Sequence, residues 1–258
     1  MVPRLFVNSV LAPGTTVELE AAQAHYLLHV LRLGVGDRLV LFNGRDGAWR
    51  AQIEHTARQR CAVAAVELIR PQRAEPDIWL CFAPLKRARI DFLVEKASEL
   101  GVSRLQPVFT AHTMVERVNV ARLRANAIEA AEQSERLSVP EICEPVELAR
   151  LLDGWPRTRH LILCDETGGG QPIADALAGL SQELQAAPWA ILIGPEGGFA
   201  RPEIDSIAGL PRVTKVGLGP RILRADTAAL AALSICQALV GDWREATPPR
   251  WPDYATSR

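Results

Sequence analysis

Two glycine-punctuated segments near the C-terminal end carry the residue types that handle a ligand. Ile191-Leu192-Ile193-Gly194-Pro195-Glu196-Gly197-Gly198-Phe199 is the first, and Gly217-Leu218-Gly219-Pro220-Arg221-Ile222-Leu223-Arg224 is the second. Each follows an apolar, strand-like run and precedes a helix-like one. In a parallel α/β sheet, ligands bind in the crevice beyond the strand C-terminal ends, and glycine there lets backbone approach them closely. The same loops carry charge. Glu196 is a candidate base or loop anchor, and the planar guanidinium of Arg224 suits a phosphate or a developing oxyanion. Together they read as a small-molecule pocket beside an anion-handling site.

Neither segment is a G-x-G-x-x-G opening a βαβ unit, and no G-x-x-x-x-G-K-[ST] is present, so the dinucleotide and P-loop classes are disfavoured. The run Gly168-Gly169-Gly170 after Cys164-Asp165 has by itself the composition of a turn. Asp226 is the residue type of a helix N-cap. The segment it precedes, Ala228 to Leu239, is apolar nearly all round. Such a helix must be covered, by the sheet or by a partner subunit.

The elements that position these loops fall into two groups. Strand-like runs at 4–8, 15–19, 38–42, 48–55 and 61–69, with one helix at 21–33, predict a small β-barrel over residues 1–70. A short proline-bounded linker, 71–76, follows. Residues 77–245 then alternate apolar strands (78–83, 105–109, 160–164, 189–193, 213–218) with helices (90–100, 120–137, 173–180, 202–208, 227–240). That rhythm predicts an α/β domain with a mostly parallel sheet. Residues 248–258 read as a loose tail.

The chain has 258 residues and a formal net charge of −1, so bulk charge does not mark a nucleic-acid binder. Its distribution is more informative. Between Lys86 and Arg124 there are eight Lys/Arg against four Asp/Glu. This excess, led by Lys86 and Arg87, suits phosphates, the alternative being a solvated helix face. The five cysteines are scattered without a C-x-x-C, which fits neither a disulfide framework nor a zinc site. No apolar run reaches membrane-spanning length. A reduced, cytoplasmic protein without a metal is expected.

At the level of motifs, the chain resembles the ribosomal RNA small subunit methyltransferase E family, within the SPOUT superfamily of knotted methyltransferases. The resemblance rests on Pro3-Arg4-Leu5-Phe6-Val7, His29-Val30-Leu31-Arg32-Leu33-Gly34-Val35-Gly36-Asp37, Leu41-Phe42-Asn43-Gly44, Val94 to Val102, Ala131-Glu132-Gln133-Ser134 and both glycine loops. It implies S-adenosylmethionine-dependent methylation at N3 of one uridine of 16S rRNA on the small ribosomal subunit. The implied fold is a PUA-like β-barrel followed by an α/β domain with a C-terminal trefoil knot, and the implied assembly is a homodimer through the knot region.

The implied cofactor contacts are Leu192, Ile193, Gly194, Glu196, Gly197, Gly198, Gly217, Leu218, Gly219, Arg221, Ile222 and Leu223. Arg224 would stabilise the uridine anion or position a phosphate, and Glu196 would orient the loop or act as a base. Arg4, Arg32, Arg38 and Arg45 are candidate rRNA contacts that position rather than read bases, each alternatively a solvated surface charge. His29 reads as a packing residue. Three departures from the family pattern stand out: Ala225-Asp226-Thr227 in place of Thr-Glu-Thr, Glu135-Arg136 in place of Gly-Arg, and Ala200 where a serine cap is usual. The alternatives are a ribose 2′-O methyltransferase of the same superfamily, a non-catalytic rRNA-binding assembly protein, and a dehydrogenase-type enzyme disfavoured by the missing fingerprint.

Overall fold

The computed structural model describes residues 2–58, 60–165 and 167–245, so the expected tail lies outside the described residues. Two compact units result. One holds the chain up to Ala74 and returns for Ala131–Val139; the other holds Glu75–Ala130 and resumes at Pro140.

In the first unit, strands β1 (Arg4–Phe6), β2 (Thr16–Glu18), β3 (Arg38–Phe42), β4 (Ala48–Ala57) and β5 (Arg60–Arg70) form one sheet in the order β1-β3-β4-β5-β2. Strand alternation sends Leu39, Leu41, Ile53 and Val63 to a single core, which Leu5 of β1 and Val17 of β2 also join. Five strands feeding one cluster require a rolled sheet. Register shifts between β4 and β5, at Arg50/Ala51 and Ile53/His55, supply bending points.

The expected helix at 21–33 is shorter and changes pitch. It runs as α1 (Ala21–His25) and continues as one π-helical turn, Tyr26–Val30. Leu27 takes the core position. His29 is not a packing residue: it is exposed, with its ring 5.0 Å from that of His25. Arg32 follows in a left-handed conformation, φ 57°.

The segment 131–139 belongs to this unit because Leu137 packs with Val40, Ala48 and Ile69. Arg4 donates to the Arg136 carbonyl at 2.9 Å, and its guanidinium lies 5.2 Å from the Phe42 ring centroid. The structure therefore gives Arg4 an internal task. Here helix α3 (Val120–Gln133) ends in a Schellman-type turn, the Arg136 N–H donating to the Ala131 carbonyl at 3.1 Å. Glu135 occupies its left-handed position, φ 61°. A side chain there is strained, so Glu135→Gly is expected to stabilise the protein by about 0.5–1 kcal/mol, after allowing for glycine's greater unfolded-state entropy. Chemical denaturation reads this out, and an unchanged or lower midpoint contradicts it.

The second unit contains β6 (Ile78–Phe82), α2 (Arg87–Glu99), β7 (Arg104–Phe109), most of α3, β8 (Glu141–Ile142), β9 (Val146–Glu147) and α4 (Leu148–Asp153). It continues with β10 (His160–Cys164), β11 (Gln171–Pro172), α5 (Ile173–Ala178), α6 (Gln182–Gln185), β12 (Trp189–Ile193), α7 (Arg201–Ala208), β13 (Val213–Gly217) and α8 (Ala225–Leu239). The sheet order is β11-β13-β10-β12-β6-β7-β8, all parallel. Both faces are covered, which explains the unbroken apolar strands. Ala190 and Leu192 of β12 join a core with Ile207 of α7 and Leu148 of α4. Against β12 also packs α8, alongside α2 and α5.

Helix α8 starts earlier than its aspartate suggested. Its N-cap is Arg224, in extended conformation, and the Ala228 N–H donates to the Arg224 carbonyl at 2.8 Å. Asp226 is thus in the first turn rather than at the cap, where its charge still suits the positive end of the helix. Gln237 is fully buried and ties the helix down: its Nε2 donates to the Leu100 carbonyl at 2.6 Å and its Oε1 accepts the Asp242 N–H at 3.2 Å.

Candidate functional site

The chain leaves β10 for β12 on one side and reaches β13 on the other, so β10 lies between them. Such a switch point opens a crevice at the strand C-terminal ends. A cavity of about 190 Å³ sits there, bounded by the loops after β10, β12 and β13 and by the start of α8. Ile193, Phe199, Val216, Leu218 and Leu223 supply apolar wall. Gly194, Gly198, Gly217 and Gly219 line it with bare backbone.

Two of these glycines are required by the geometry. Gly219 has φ 98°, a conformation that side chains rarely adopt. A Cβ on Gly194 would lie 2.9 Å from the Phe199 ring, so only glycine lets that ring fold back on the end of β12.

The structure sorts the expected cofactor contacts. Ile193, Gly194, Gly198, Gly217, Leu218, Gly219, Arg221, Ile222 and Leu223 border the cavity. Leu192 is buried in the core, facing Ile207 instead. Neither Glu196 nor Gly197 is on the cavity wall. Glu196 is exposed and its carboxylate is 3.9 Å from the Arg89 guanidinium of α2. Gly197 backs onto His112, where an added Cβ would stand 3.1 Å from the His112 Cβ. The His112 Nδ1 is 2.9 Å from the Gly197 carbonyl oxygen and 3.2 Å from that of Gly198. Both oxygens are acceptors, so this nitrogen carries the proton and braces the loop.

Sequence reasoning missed the third wall. Cys164, Asp165 and Gly168 border the cavity from the loop after β10. Asp165 is buried, and burial pushes its carboxyl up. Hydrogen bonds from Lys215 and from the Thr167 N–H and hydroxyl outweigh this and hold it below the usual carboxylate range. The Asp165–Lys215 contact is 2.5 Å and clamps this loop to β13. Burial pushes the Cys164 thiol up to about 12, so it is a neutral wall and not a nucleophile. Gly170 closes the same loop, its Cβ position 2.6 Å from the backbone of Val216. The only sequence signal was the glycine triplet.

Arg224 is exposed at the rim, between the wall residues Leu223 and Ala225. Among the described residues no hydrogen bond or ion pair engages the guanidinium of Arg224 or of Arg221. The site thus combines a slot of apolar wall and open backbone with unspent guanidinium groups at its mouth. It suits a flat, largely apolar ligand inside and an anion at the rim. Of the other expected cations, Arg32, Arg38, Arg45, Lys86 and Arg87 are exposed, with Arg45 donating to the Asn8 carbonyl at 3.0 Å.

Comparison with known proteins adds to this geometry. Residues 72–237 match the family described as an RNA methyltransferase domain, and residues 19–65 match one described as an RNA methyltransferase PUA domain. The chain is 32% identical over 232 residues to ribosomal RNA small subunit methyltransferase E of Rickettsia conorii, covering 90% of this chain and 93% of that one. The namesake of Synechocystis sp. is 33% identical over 228 residues, 87% and 74% of the two chains. The structure of a ribosomal RNA small subunit methyltransferase E from Neisseria gonorrhoeae bound to S-adenosyl methionine superposes with a TM-score of 0.83, at 28% identity over 94% of this chain and 100% of that one.

Proposed function

This chain belongs to the RNA methyltransferase family that includes ribosomal RNA small subunit methyltransferase E, and from that membership we propose that it methylates N3 of one uridine in 16S rRNA on the small ribosomal subunit, using S-adenosylmethionine. The observation that carries this reading is the switch-point cavity with unengaged guanidinium at its rim. The cavity fits the cofactor: Ile193, Leu218 and Leu223 offer apolar contact to a planar base, and Gly217 and Gly219 open backbone to its polar edges. When bound, S-adenosylmethionine supplies a methyl group activated on a sulfonium.

What the chain's own residues contribute follows from the chemistry of uridine. Its N3 carries a proton and is a weak nucleophile until that proton leaves. Arg224, whose guanidinium has no partner among the described residues, stabilises the resulting anion on the base, as preorganised cations do where charge develops. Orientation of the base supplies much of the remaining rate. Glu196, 3.9 Å from the Arg89 guanidinium, is assigned to holding the loop.

Assembly and threading belong to the same reading. On α8, Ala229, Ala232 and Leu233 are buried within the unit, whereas Leu230, Ala231 and Ile235 are only half-buried and Ile222 in the preceding loop is exposed. These uncovered apolar groups support a homodimer through this region. The order β13-β10-β12 supports the knotted C-terminal path of the superfamily. No described helix is long and apolar enough to cross a membrane, and the proposed rRNA substrate supports the cytoplasm as the place of action. Arg32, Arg38 and Arg45 of the first unit are assigned to rRNA backbone, with Arg4 kept for internal structure.

Gly197→Val is expected to reduce cofactor affinity about tenfold by pushing His112 off the loop carbonyls, an indirect effect through the brace. Unchanged affinity by calorimetry would refute the brace. The reaction itself is tested by transfer of labelled methyl to small subunits lacking the modification, with naked 16S rRNA in parallel and nucleoside identification by mass spectrometry. N3-methyluridine at one site is the expected product. A 2′-O-methylated nucleoside assigns the other superfamily chemistry, and no cofactor binding at all leaves a non-catalytic rRNA-binding protein.

A further inference from the structure

A second cleft, of about 410 Å³, lies between the start of α2 and the segment leading into α3. Lys86, Arg87, Arg117 and Arg122 line it together with Asn119, and no carboxylate does. Lys86, Arg87 and Arg117 are exposed, and no hydrogen bond or ion pair engages their side chains among the described residues. Arg122 is half-buried and shares its charge with Asp91 at 3.3 Å. Two helices begin here. The α2 N-cap, Lys86, makes no side-chain cap. Asn119 caps α3, its Oδ1 accepting the Arg122 N–H at 3.0 Å. Both positive helix ends add to the field of the side chains.

The cleft adjoins the candidate site. The end of β6 is joined to the end of β12 by the Ala83 N–H donating to the Ile193 carbonyl at 3.0 Å. From the first turn of α2, Arg89 pairs with Glu196 on the loop after β12. A strand whose reacting base enters the pocket thus passes this cleft on the same edge of the sheet.

Resting on the function proposed above, we propose that this cleft holds successive phosphates of the single RNA strand that carries the target uridine. Arg87 and Arg117 are its main positioning cations, and Lys86 and Arg122 complete it. A solvated helix face would spread such charges over a convex surface among acids. Here they converge on a concavity whose lining holds no carboxylate, Asp91 engaging Arg122 from outside it.

The test uses the full-length protein with Arg87→Ala, Arg117→Ala, the double variant and Arg117→Lys. Binding to naked 16S rRNA and to unmodified small subunits is measured across a salt series. S-adenosylmethionine affinity is measured by calorimetry. Each alanine is expected to weaken rRNA binding about fivefold and to lower the slope of log affinity against log salt by about one. The lysine variant should keep the slope, and cofactor affinity should stay within about twofold in all four. KM for subunits should rise with kcat nearly unchanged.

Variants that bind rRNA with wild-type affinity and slope, while the wild type methylates subunits, overturn the cleft and leave the function standing. Weakened binding to subunits with unchanged binding to naked rRNA also overturns it, handing the cleft to a ribosomal protein. A wild type that binds no rRNA and transfers no methyl removes the functional reading itself, and this proposal with it.

Discussion

Arg224→Ala is expected to lower kcat for methyl transfer by about 10²- to 10³-fold, the range for removing one preorganised group that stabilises a developing anion. Cofactor affinity should change by less than about threefold, because Arg224 stands at the rim and not on the cavity wall. Nor should the fold suffer. As the N-cap of α8 this residue contributes backbone only, with no side-chain cap hydrogen bond, so stability should stay within about 0.5 kcal/mol. The pH dependence separates roles. If the guanidinium favours the N3 anion, the defect shrinks as pH rises and uridine loses its proton without help. Phosphate positioning alone would leave the defect constant with pH and raise KM. Arg224→Lys should recover part of the rate, since it keeps the charge and loses the planar fork. A fully active alanine variant ends any role in the reaction.

Gly170→Val should have the largest effect on the pocket as a structure. A Cβ at this position stands 2.6 Å from the carbonyl carbon of Val216 and 2.9 Å from the Gly217 nitrogen. Those atoms are backbone of a sheet strand and cannot swing aside. The loop after β10 must move away instead, breaking the pairing of Gln171 with Val216 and of Pro172 with Gly217. It would also strain the Asp165–Lys215 clamp. We expect a loss of about 2–3 kcal/mol in stability, in the range for severe overpacking, and at least a tenfold loss of S-adenosylmethionine affinity. Gly168→Ala is the control. It also has a left-handed φ, 87°, but nothing lies within 4 Å of its Cβ position. It should therefore cost only about 1 kcal/mol of backbone strain. Thermal melts with calorimetric titration separate the two. A Gly170→Val protein that binds cofactor like the wild type would show that this loop is not a functional wall.

These variants mark where the sequence was legible. The loops after β12 and β13 could be read directly, because each is local: an apolar strand, glycines at its end and a helix behind, all within about ten residues. The five strands of the first unit were readable for the same reason, their alternation being a local property that burial on one face enforces. His29 was misread because helical periodicity assumes a constant pitch, and the chain widens to a π-helical turn at Tyr26–Val30. Asp226 was misread because a cap is decided by where the backbone turns, not by which residue is best suited to cap it.

For Gly170 and Asp165 the glycine triplet was a weak signal, and their roles could not be read from it. The significance of Gly170 lies in the backbone of residues 216 and 217, and that of Asp165 in Lys215, fifty positions later. The departure at Glu135 belongs to the same class, since residues 131–139 pack with the first unit although α3 mostly belongs to the second. By itself, then, the sequence determined the identity of the strands and the two glycine loops, each a consequence of short-range pattern and residue type. Only the tertiary structure decided that β10 lies between β12 and β13, that its loop forms the third wall, and that the Arg224 guanidinium is left without a partner among the described residues. Which side chains converge, and which are left over, depends on parallel crossovers that bring distant segments side by side, and no local pattern encodes that register.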